Sequence, residues 1–237
     1  MHSDPSGILL VDKPCGLTSH DVVDAVRRSF RIKRVGHCGT LDPMATGLLV
    51  LVLGKATKFS ERLMGEDKEY EGTLTLGVTT DSQDAEGAHL EERPVPPLTK
   101  EEIRAAFGAF KGDFLQTPPM VSAKKIAGVP LYKLAREGKE VERRPRLVHI
   151  YRLDILRVAL PEIDFRLLCM KGTYVRTLCH DLGEKLGCGG HLSRLRRIAS
   201  GPFCLEKAYP LPTIKSWNQQ ELQKHLICPF DIFDIKF

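Results

Sequence analysis

Runs and periods of apolar residues predict strands and a helix in the first part of the chain. An unbroken apolar run at residues 48–53 is typical of a buried strand, and residues 8–11 form a shorter run of the same kind. Between the two runs, apolar residues recur at helical spacing behind Thr18 and Ser19, either of which can cap a helix. The pattern therefore predicts a strand, a helix and a second strand in this order.

The rest of the chain continues this mixture without an internal repeat. Alternation over residues 69–78 predicts a strand with Tyr70 on one side, and residues 146–158 and 163–170 predict a pair of strands. Because strands and helices do not alternate regularly, the order favours an α+β fold over a doubly wound sheet. Further helices are predicted at 56–64, 99–110, 130–138, 176–186 and 219–226, and further strands at 114–125 and, with basic residues on one face, at 191–200.

A loop rich in glycine and proline lies directly before the apolar run at 48–53. It carries one carboxylate, Asp42, which Pro43 follows, and its glycines permit backbone angles that residues with a Cβ resist. Loops at the ends of rigid strands often carry catalytic groups. An ionised carboxylate there can act as a nucleophile, as a base or as a stabiliser of a cationic sugar. The alternative is an ordinary surface turn.

Asp42 has no second carboxylate in a similarly marked loop. Glycoside hydrolases usually use a second acid to protonate a poor leaving group. Uracil is a different leaving group, because it can depart as a delocalised anion. One carboxylate can therefore suffice for chemistry at a nucleoside.

A second candidate group lies at residues 169–177. Gly172 and Thr173 allow a tight turn from strand to helix, and Arg176 falls in the first helical turn, where its guanidinium can pair bidentately with a carboxylate. The alternative for Arg176 is a structural salt bridge. Tyr70 and Tyr174 can stack on an extruded base, or simply pack in the core.

Composition and charge suit a globular protein with a polyanionic partner. The chain has 237 residues, 42% of them hydrophobic and 27% charged, with a formal charge of +5. Clustering of the basic residues favours a phosphate-rich ligand more than the total does, although each cluster taken alone can be a solvated face. The clusters are Arg27, Arg28, Arg31, Lys33 and Arg34; Lys139, Arg143, Arg144 and Arg146; and Arg194, Arg196 and Arg197.

The seven cysteines are scattered, and they form no CxxC pair. With no secretory segment and no transmembrane stretch in the sequence, the pattern predicts reduced thiols in a cytoplasmic protein without membrane contact. The spacing of Cys179, His180, Cys188 and His191 matches no standard zinc site. No metal site is therefore predicted.

Several motifs together resemble the TruB family of tRNA pseudouridine synthases. The strongest is the run Gly-His-Cys-Gly-Thr-Leu-Asp-Pro-Met-Ala-Thr-Gly-Leu-Leu at residues 36–49, which is similar to the catalytic loop of that family. The other similar motifs follow in chain order and extend the resemblance over residues 8–203. They are Lys-Pro-Cys-Gly at 13–16 with Thr-Ser-His at 18–20, Lys-Glu-Tyr-Glu at 68–71, two stretches at 116–123 and 131–138, Lys-Gly-Thr-Tyr-Val-Arg at 171–176, and Leu-Arg-Arg at 195–197.

The resemblance implies a cofactor-free isomerase that converts uridine 55 in the T-loop of tRNA to pseudouridine. By this resemblance Asp42 initiates scission of the N1–C1′ bond, Arg176 pairs with Asp42, and Tyr70 stacks on the flipped base and takes the C5 proton. Substrate-binding roles are implied for four further residues. His37 holds the RNA loop open, while Tyr174 and Leu195 line the base pocket. These four are His37, Tyr174, Leu195 and Lys13.

The resemblance also implies the pseudouridine synthase fold, with a central mixed, mostly antiparallel sheet flanked by helices and loops. We expect one catalytic domain over residues 1–237, with an insertion that grips RNA at about 112–150. The segment after Phe203 predicts one strand and a short helix, too little for the C-terminal PUA domain that is common in the family. No obligatory protein partner is expected. Two alternatives stay open: a tRNA-binding folding factor with little catalysis, and a synthase for another RNA site.

Overall fold

The structure is a computed structural model that describes residues 5–119, 125–126, 129–130, 141 and 143–233. The chain divides into two compact units. Unit 1 comprises Met1–Tyr70 and Leu195–Phe237, and unit 2 comprises Glu71–Arg194. The prediction of one catalytic domain over the whole chain is separate from this division and stays a prediction.

Strands and helices in the described residues mix as the α+β prediction requires. The strands are β1 (Gly7–Lys13), β2 (Val35–His37), β3 (Thr46–Leu53), β4 (Lys68–Leu76), β5 (Val78–Thr80), β6 (His89–Glu92), β7 (Gly112–Gln116), β8 (Lys125–Ile126), β9 (Val129–Pro130), β10 (Arg146–Ala159), β11 (Glu162–Cys169), β12 (Gly190–Ser200), β13 (Phe203–Cys204) and β14 (Tyr209–Pro210). The helices are α1 (Ser19–Phe30), α2 (Ser60–Met64), α3 (Lys100–Gly108), α4 (Val175–Lys185), α5 (Leu211–Ser216), α6 (Gln219–His225) and α7 (Pro229–Phe233), with 3₁₀ turns at Gly54–Phe59 and Leu205–Lys207.

Unit 1 is built on a mixed sheet around β3. Strand β3 pairs antiparallel with β1 and β2, and its first residues pair parallel with β12. On the far side of β1, β14 adds a short parallel pair. Seven of the eight residues of β3 are buried, as its unbroken apolar run predicts.

Helix α1 begins where the capping signal predicts. Thr18 is the N-cap: its hydroxyl accepts from the Asp21 N–H (3.0 Å), and the Asp21 carboxylate accepts from the Thr18 N–H (2.8 Å). This reciprocal capping box satisfies two of the backbone donors that a helix start leaves free. The apolar stripe of α1 ends with Phe30, which is buried in unit 1.

The prediction for the segment after Phe203 is wrong in its element count. The predicted helix at 219–226 is confirmed as α6, but the described residues contain two further helices, α5 and α7, beside the strand β14. The helices are short, with five to seven residues each, so helical periodicity had little length over which to show. Asn218 caps α6 by the same reciprocal arrangement as Thr18, which was a readable signal.

Unit 2 contains a sheet of β7, β10 and β11, with β4 beside β11. Strands β10 and β11 form the long antiparallel pair that the sequence predicts, and β7 pairs antiparallel with β10. Residues 79–97, for which the sequence predicts no helix or strand, include β6, which pairs with β5 as a hairpin. Part of the predicted RNA-gripping insertion, including the predicted helix at 130–138, lies outside the described residues.

Candidate active site

The loop that carries Asp42 joins β2 to β3 in unit 1, and it is named here the Asp42 loop (residues 38–45). Its first residue donates from the Cys38 N–H to the Val50 carbonyl (2.8 Å). Near its end, the Ala45 N–H donates to the Asp42 carbonyl (3.1 Å), which closes a tight turn around Pro43. Asp42 is half-buried. A carboxylate on such a turn is held close to the rigid end of β3.

Helix α1 fixes the residue before Asp42. Ser19, the first residue of α1, is buried, and its hydroxyl donates to the Leu41 carbonyl (3.0 Å) while it accepts from the Leu41 N–H (2.8 Å). One side chain thus satisfies both backbone groups of Leu41. Because α1 is itself held by its capping box, the two contacts tie the loop to a rigid element.

Lys13 holds the turn after Asp42 by a hydrogen bond to its backbone. Its side chain is fully buried, and its Nζ donates to the carbonyls of Pro14 (3.0 Å), Leu17 and Pro43 (3.2 Å). The Gly16 N–H donates to the same Pro43 carbonyl (2.9 Å). A buried ammonium requires such acceptors, and here they give Lys13 a structural role. Its predicted role in substrate binding stays a prediction.

Arg197 of β12 contacts the other side of the loop. Its guanidinium is buried and donates from Nε to the Leu48 carbonyl (2.7 Å) and from Nη2 to the Gly39 carbonyl (3.1 Å). The prediction that basic residues share one face of this strand is therefore wrong. Arg194 and Arg196 lie on one face, whereas Arg197 lies on the other and points inward, because side chains alternate along a strand.

His37 lies just before the loop and is kept neutral by its surroundings. Burial lowers the pKa of the imidazole, and the nearby cation of Arg197 lowers it further, with a smaller contribution from His20. Its buried Nδ1 has no hydrogen-bond partner among the residues that the structure describes. A neutral imidazole is therefore the form present at pH 7.

Tyr70 and Leu195 complete the predicted site residues of unit 1. Tyr70 lies on β4, Leu195 lies on β12, and each is about one-twelfth exposed, at 8%. The predicted alternation of β4 is confirmed, since Tyr70, Leu74 and Leu76 are all buried. The predicted contacts of Tyr70 and Leu195 with a flipped base stay predictions.

Unit 2 contains a cluster around Arg176, named here the Arg176 cluster (Ser82, Gln83, Asp84, Arg176 and Thr177). Arg176 follows the Tyr174 N-cap of α4, and its Nη1 donates to the Ser82 carbonyl (3.0 Å) and lies 3.4 Å from the Asp84 carboxylate. The side chains of Arg176 and Asp84 are only 5% and 4% exposed. The guanidinium is thus held by a buried ion pair.

Asp84 is the ion-pair partner of Arg176, and the sequence did not predict it. Its Oδ1 accepts from the Ser82 hydroxyl (2.5 Å) and from the Glu86 N–H (3.1 Å). These two contacts fix the carboxylate independently of Arg176. Gln83, with a φ of 65°, makes the turn, and its side chain accepts from Thr177 (2.8 Å). The signal was the short polar run at 80–84, but nothing in it indicates a partner 92 positions away.

The backbone of Tyr174 is fixed by the side chain of Gln116. The Gln116 side chain accepts from the Tyr174 N–H (2.8 Å) and donates to the Tyr174 carbonyl (3.0 Å). Gln116 is buried, and it belongs to β7 at the start of the predicted insertion. The backbone of Tyr174 is therefore fixed without using its half-buried ring.

The predicted site residues divide between the two units. Unit 1 holds Asp42 and Tyr70 together with His37, Leu195 and Lys13, while unit 2 holds Arg176 and Tyr174. The predicted pairing of Arg176 with Asp42 stays a prediction. Within residues 5–233, apart from the gaps given above, no group of three or more His, Cys, Asp or Glu side chains is placed to hold a metal ion. No helix in the described part of the chain is long and apolar enough to cross a membrane.

The fold and a lone loop carboxylate are those of a pseudouridylate synthase. The family model described as "TruB family pseudouridylate synthase (N terminal domain)" matches residues 27–175, and the "tRNA pseudouridylate synthase B C-terminal domain" matches residues 176–232. The chain belongs to the TruB family. The predicted resemblance and the predicted pseudouridine synthase fold are thereby confirmed.

Curated relatives are similar over most of the chain. A protein of Opitutus terrae named "tRNA pseudouridine synthase B" is 58% identical over 221 residues, which cover 93% of this chain and 92% of the relative. A protein of the same name from Syntrophotalea carbinolica is 50% identical over 210 residues, covering 89% of this chain and 69% of the relative.

Solved structures give the same fold at lower identity. The chain is 28% identical to one titled "Crystal Structure of a Cbf5-Nop10-Gar1 Complex", with a TM-score of 0.71, and the match covers 92% of this chain and 57% of that one. A second, titled "Structure of H/ACA RNP bound to a substrate RNA containing 2'-deoxyuridine", has 27% identity, a TM-score of 0.70 and coverages of 95% and 59%. The chain therefore spans less than two thirds of the length of these solved chains.

Proposed function

We propose that this protein is a tRNA pseudouridine synthase that isomerises uridine 55 in the T-loop of tRNA. The observation that carries the proposal is the 58% identity to a protein named tRNA pseudouridine synthase B over almost the full length of both chains. The half-buried Asp42, on a loop held at several backbone positions, agrees with it.

The proposed reaction is an isomerisation that needs no external reactant. The N1–C1′ bond of the nucleoside breaks, the uracil turns, and a new bond joins C5 to C1′. The C5 proton leaves and N1 gains a proton, so atoms and charge balance. A single ionised carboxylate suffices to start this reaction, since uracil departs as a delocalised anion. Attack at C1′, addition to the ring and removal of a sugar proton all begin from this same group.

The residues divide the work by their chemistry. Asp42 acts on the nucleoside, and Arg176 pairs with Asp42, keeping it ionised and oriented. Tyr70 stacks on the flipped base and takes the C5 proton, while Tyr174 and Leu195 line the base pocket. His37, held neutral by burial, keeps the RNA loop open.

The proposed partner is the T-arm of tRNA, which is read by its folded shape and by flipped bases. Four basic residues around the end of α1 are exposed, as phosphate contacts require. They are Arg28, Arg31, Lys33 and Arg34. The protein would meet this substrate in the cytoplasm, acting as one catalytic domain.

Release of tritium from tRNA labelled at uridine C5 tests the proposal, because only a reaction that removes the C5 proton liberates the label. Three substrates are compared at equal concentration: a tRNA transcript, the same transcript with cytidine at position 55, and a ribosomal RNA fragment. We expect release from the first substrate alone.

Two other outcomes would contradict the proposal in different ways. Tight tRNA binding without release would favour a folding factor. Release that persists with cytidine at position 55, or that occurs from ribosomal RNA, would place the reaction at another site.

A further inference from the structure

We infer that Arg197 is a positioning residue that fixes the conformation of the Asp42 loop by clamping its two flanks. The inference deepens the proposed function, on which it rests for its catalytic consequence. It concerns a side chain on a neighbouring strand that is not expected to touch the RNA, since Arg197 is 1% exposed.

The first step is the placement of the guanidinium. Its Nη2 donates to the carbonyl of Gly39, three residues before Asp42, and its Nε donates to the carbonyl of Leu48, six residues after it. One rigid, planar group therefore joins both flanks of the loop. Arginine suits this role because its donors have a fixed relative geometry.

The second step is the shape of the loop backbone where it meets Arg197. Gly47 has a φ of +96°, and a Cβ there would overlap the Arg197 carbonyl and lie 2.8 Å from its nitrogen. Gly39 has a φ of +116°, and a Cβ there would lie 3.4 Å from Nη1 of Arg197. Glycine is thus required at both positions by the backbone angle and, at Gly47, also by the closeness of β12.

The third step is the anchorage of Arg197 itself. Strand β12 pairs in parallel with β3, with Arg197 opposite Gly47 and Arg196 opposite Thr46. The neighbouring Arg196 forms a bidentate ion pair with Asp12 (3.2 and 2.8 Å) on the other face of the strand. The backbone that carries the clamp is therefore held on both sides, and movement of the loop requires breaking the guanidinium contacts.

The consequence for catalysis follows from geometry. A reacting carboxylate displaced by about 1 Å can lose about 10²-fold in rate, even when the change lies outside the chemistry. A variant in which the loop is released from Arg197 should therefore keep the affinity of the protein for tRNA and lose rate in the conversion of uridine.

The test compares Arg197→Lys and Arg197→Met with Leu222→Ala. Lysine keeps a charge but has a single nitrogen, which cannot occupy the positions of both Nε and Nη2 of Arg197, and methionine removes the charge as well. Leu222 is fully buried in α6 of the same unit and belongs to neither the Asp42 loop nor β12, so its truncation controls for lost stability.

Three measurements are made on each folded variant. Single-turnover conversion and tRNA affinity separate rate from binding, and hydrogen exchange of a peptide spanning residues 38–48 reports loop opening directly. Titration of the His37 ring by NMR reports the charge beside it, where the other contributing groups are His20 and the Gly39 carbonyl.

We expect both Arg197 variants to lose about 10- to 100-fold in single-turnover rate, with tRNA affinity within about threefold of wild type. Exchange over residues 38–48 should accelerate in both variants and not in Leu222→Ala. The pKa of His37 should rise in Arg197→Met only. A loss of rate shared by lysine and methionine then identifies the two-armed contact, and not the charge, as the clamp.

The opposite results would overturn the inference. They are a wild-type rate per folded molecule in both Arg197 variants, unchanged exchange over residues 38–48, or equal acceleration in Leu222→Ala. If the wild-type protein does not isomerise uridine at all, the proposed function fails, but hydrogen exchange still decides whether Arg197 holds the loop.

Discussion

The Asp42 loop and the Arg176 cluster fix their functional groups by different interactions. In the loop, the buried cations of Lys13 and Arg197 donate to backbone carbonyls around Asp42. In the cluster, the cation is itself the proposed functional group, and the carboxylate of Asp84 faces it together with the Ser82 carbonyl. The loop thus depends on where donors sit, and the cluster depends on a pair of charges.

This difference follows from the backbone that carries each side chain, a loop for Asp42 and a helix for Arg176. A loop has many free dihedral angles, so it must be tied at several backbone positions before its side chain is fixed. Arg176 lies in the first turn of a helix, where the backbone is already set, and only its rotamer needs a partner. We therefore expect donor geometry to matter most around Asp42, and the charge of Asp84 together with the donor geometry of Arg176 to matter in the cluster.

Among the substitutions that probe the difference between the loop and the cluster, Arg176→Lys should have the largest effect. Lysine keeps the positive charge but loses the planar fork that can serve two acceptors at once. We expect single-turnover conversion of uridine 55 to fall about 10²- to 10³-fold, as for loss of one preorganised donor. A rate near that of wild type would show that charge alone suffices at this position.

Asp84→Asn should affect stability most and rate second. It removes the charge of Asp84 from the buried ion pair with Arg176, and removal of one member of a buried pair destabilises by about 3–5 kcal/mol. Urea unfolding measures this free energy. Asp164→Asn is the matched control, because Asp164 also pairs with an arginine (Arg157, 2.7 Å) but on the surface, where such pairs contribute about 0–1 kcal/mol. Equal losses in the two variants would remove the distinction between the buried cluster and the surface network.

His37 should make the stability of the protein depend on pH. Its pKa is lowered in the folded state, so between that value and the ordinary value near 6.5 the unfolded chain binds more protons. Stability should therefore fall as pH drops below about 6.5, and the fall should end below the folded pKa. His37→Asn should reduce this slope in urea unfolding measured from pH 5 to 8. An unchanged slope would contradict the buried, neutral imidazole.

The smallest effect concerns the cysteine within the Asp42 loop. Burial raises the pKa of Cys38 to about 11, whereas Cys15 and Cys228 are exposed. A thiol reagent at pH 8 should label the two exposed residues first and Cys38 only when the loop opens. Labelling of Cys38 at the rate of Cys15 in the folded protein would show that the loop is not closed.

The same comparison explains how much the sequence could predict. The loop was recognisable because its glycines, Asp42 and Pro43 lie within one short stretch, directly before an apolar run. Local signals also located α1, through the Thr18 cap, and the β10–β11 pair, through the strand patterns at 146–158 and 163–170. Each of these features is written within a short window.

The features that the sequence did not predict depend on distant contacts. Asp84 pairs with Arg176, which lies 92 positions later in the chain. In the sequence, Arg197 is one of several clustered basic residues, and only the fold places its side chain against the Asp42 loop. The helices α5 and α7 were not predicted, because six and five residues show little periodicity. Partner identity and side-chain direction on β12 required the tertiary fold.

The most direct test of the central claim compares wild type with Asp42→Asn in single-turnover conversion of uridine 55, with tRNA affinity measured in parallel. Asparagine keeps the shape of the side chain and removes its negative charge. We predict unchanged affinity and a loss of at least about 10⁴-fold in rate, as for removal of an essential reacting group. Conversion by Asp42→Asn within about tenfold of wild type would contradict the assignment of this carboxylate as the group that starts the reaction.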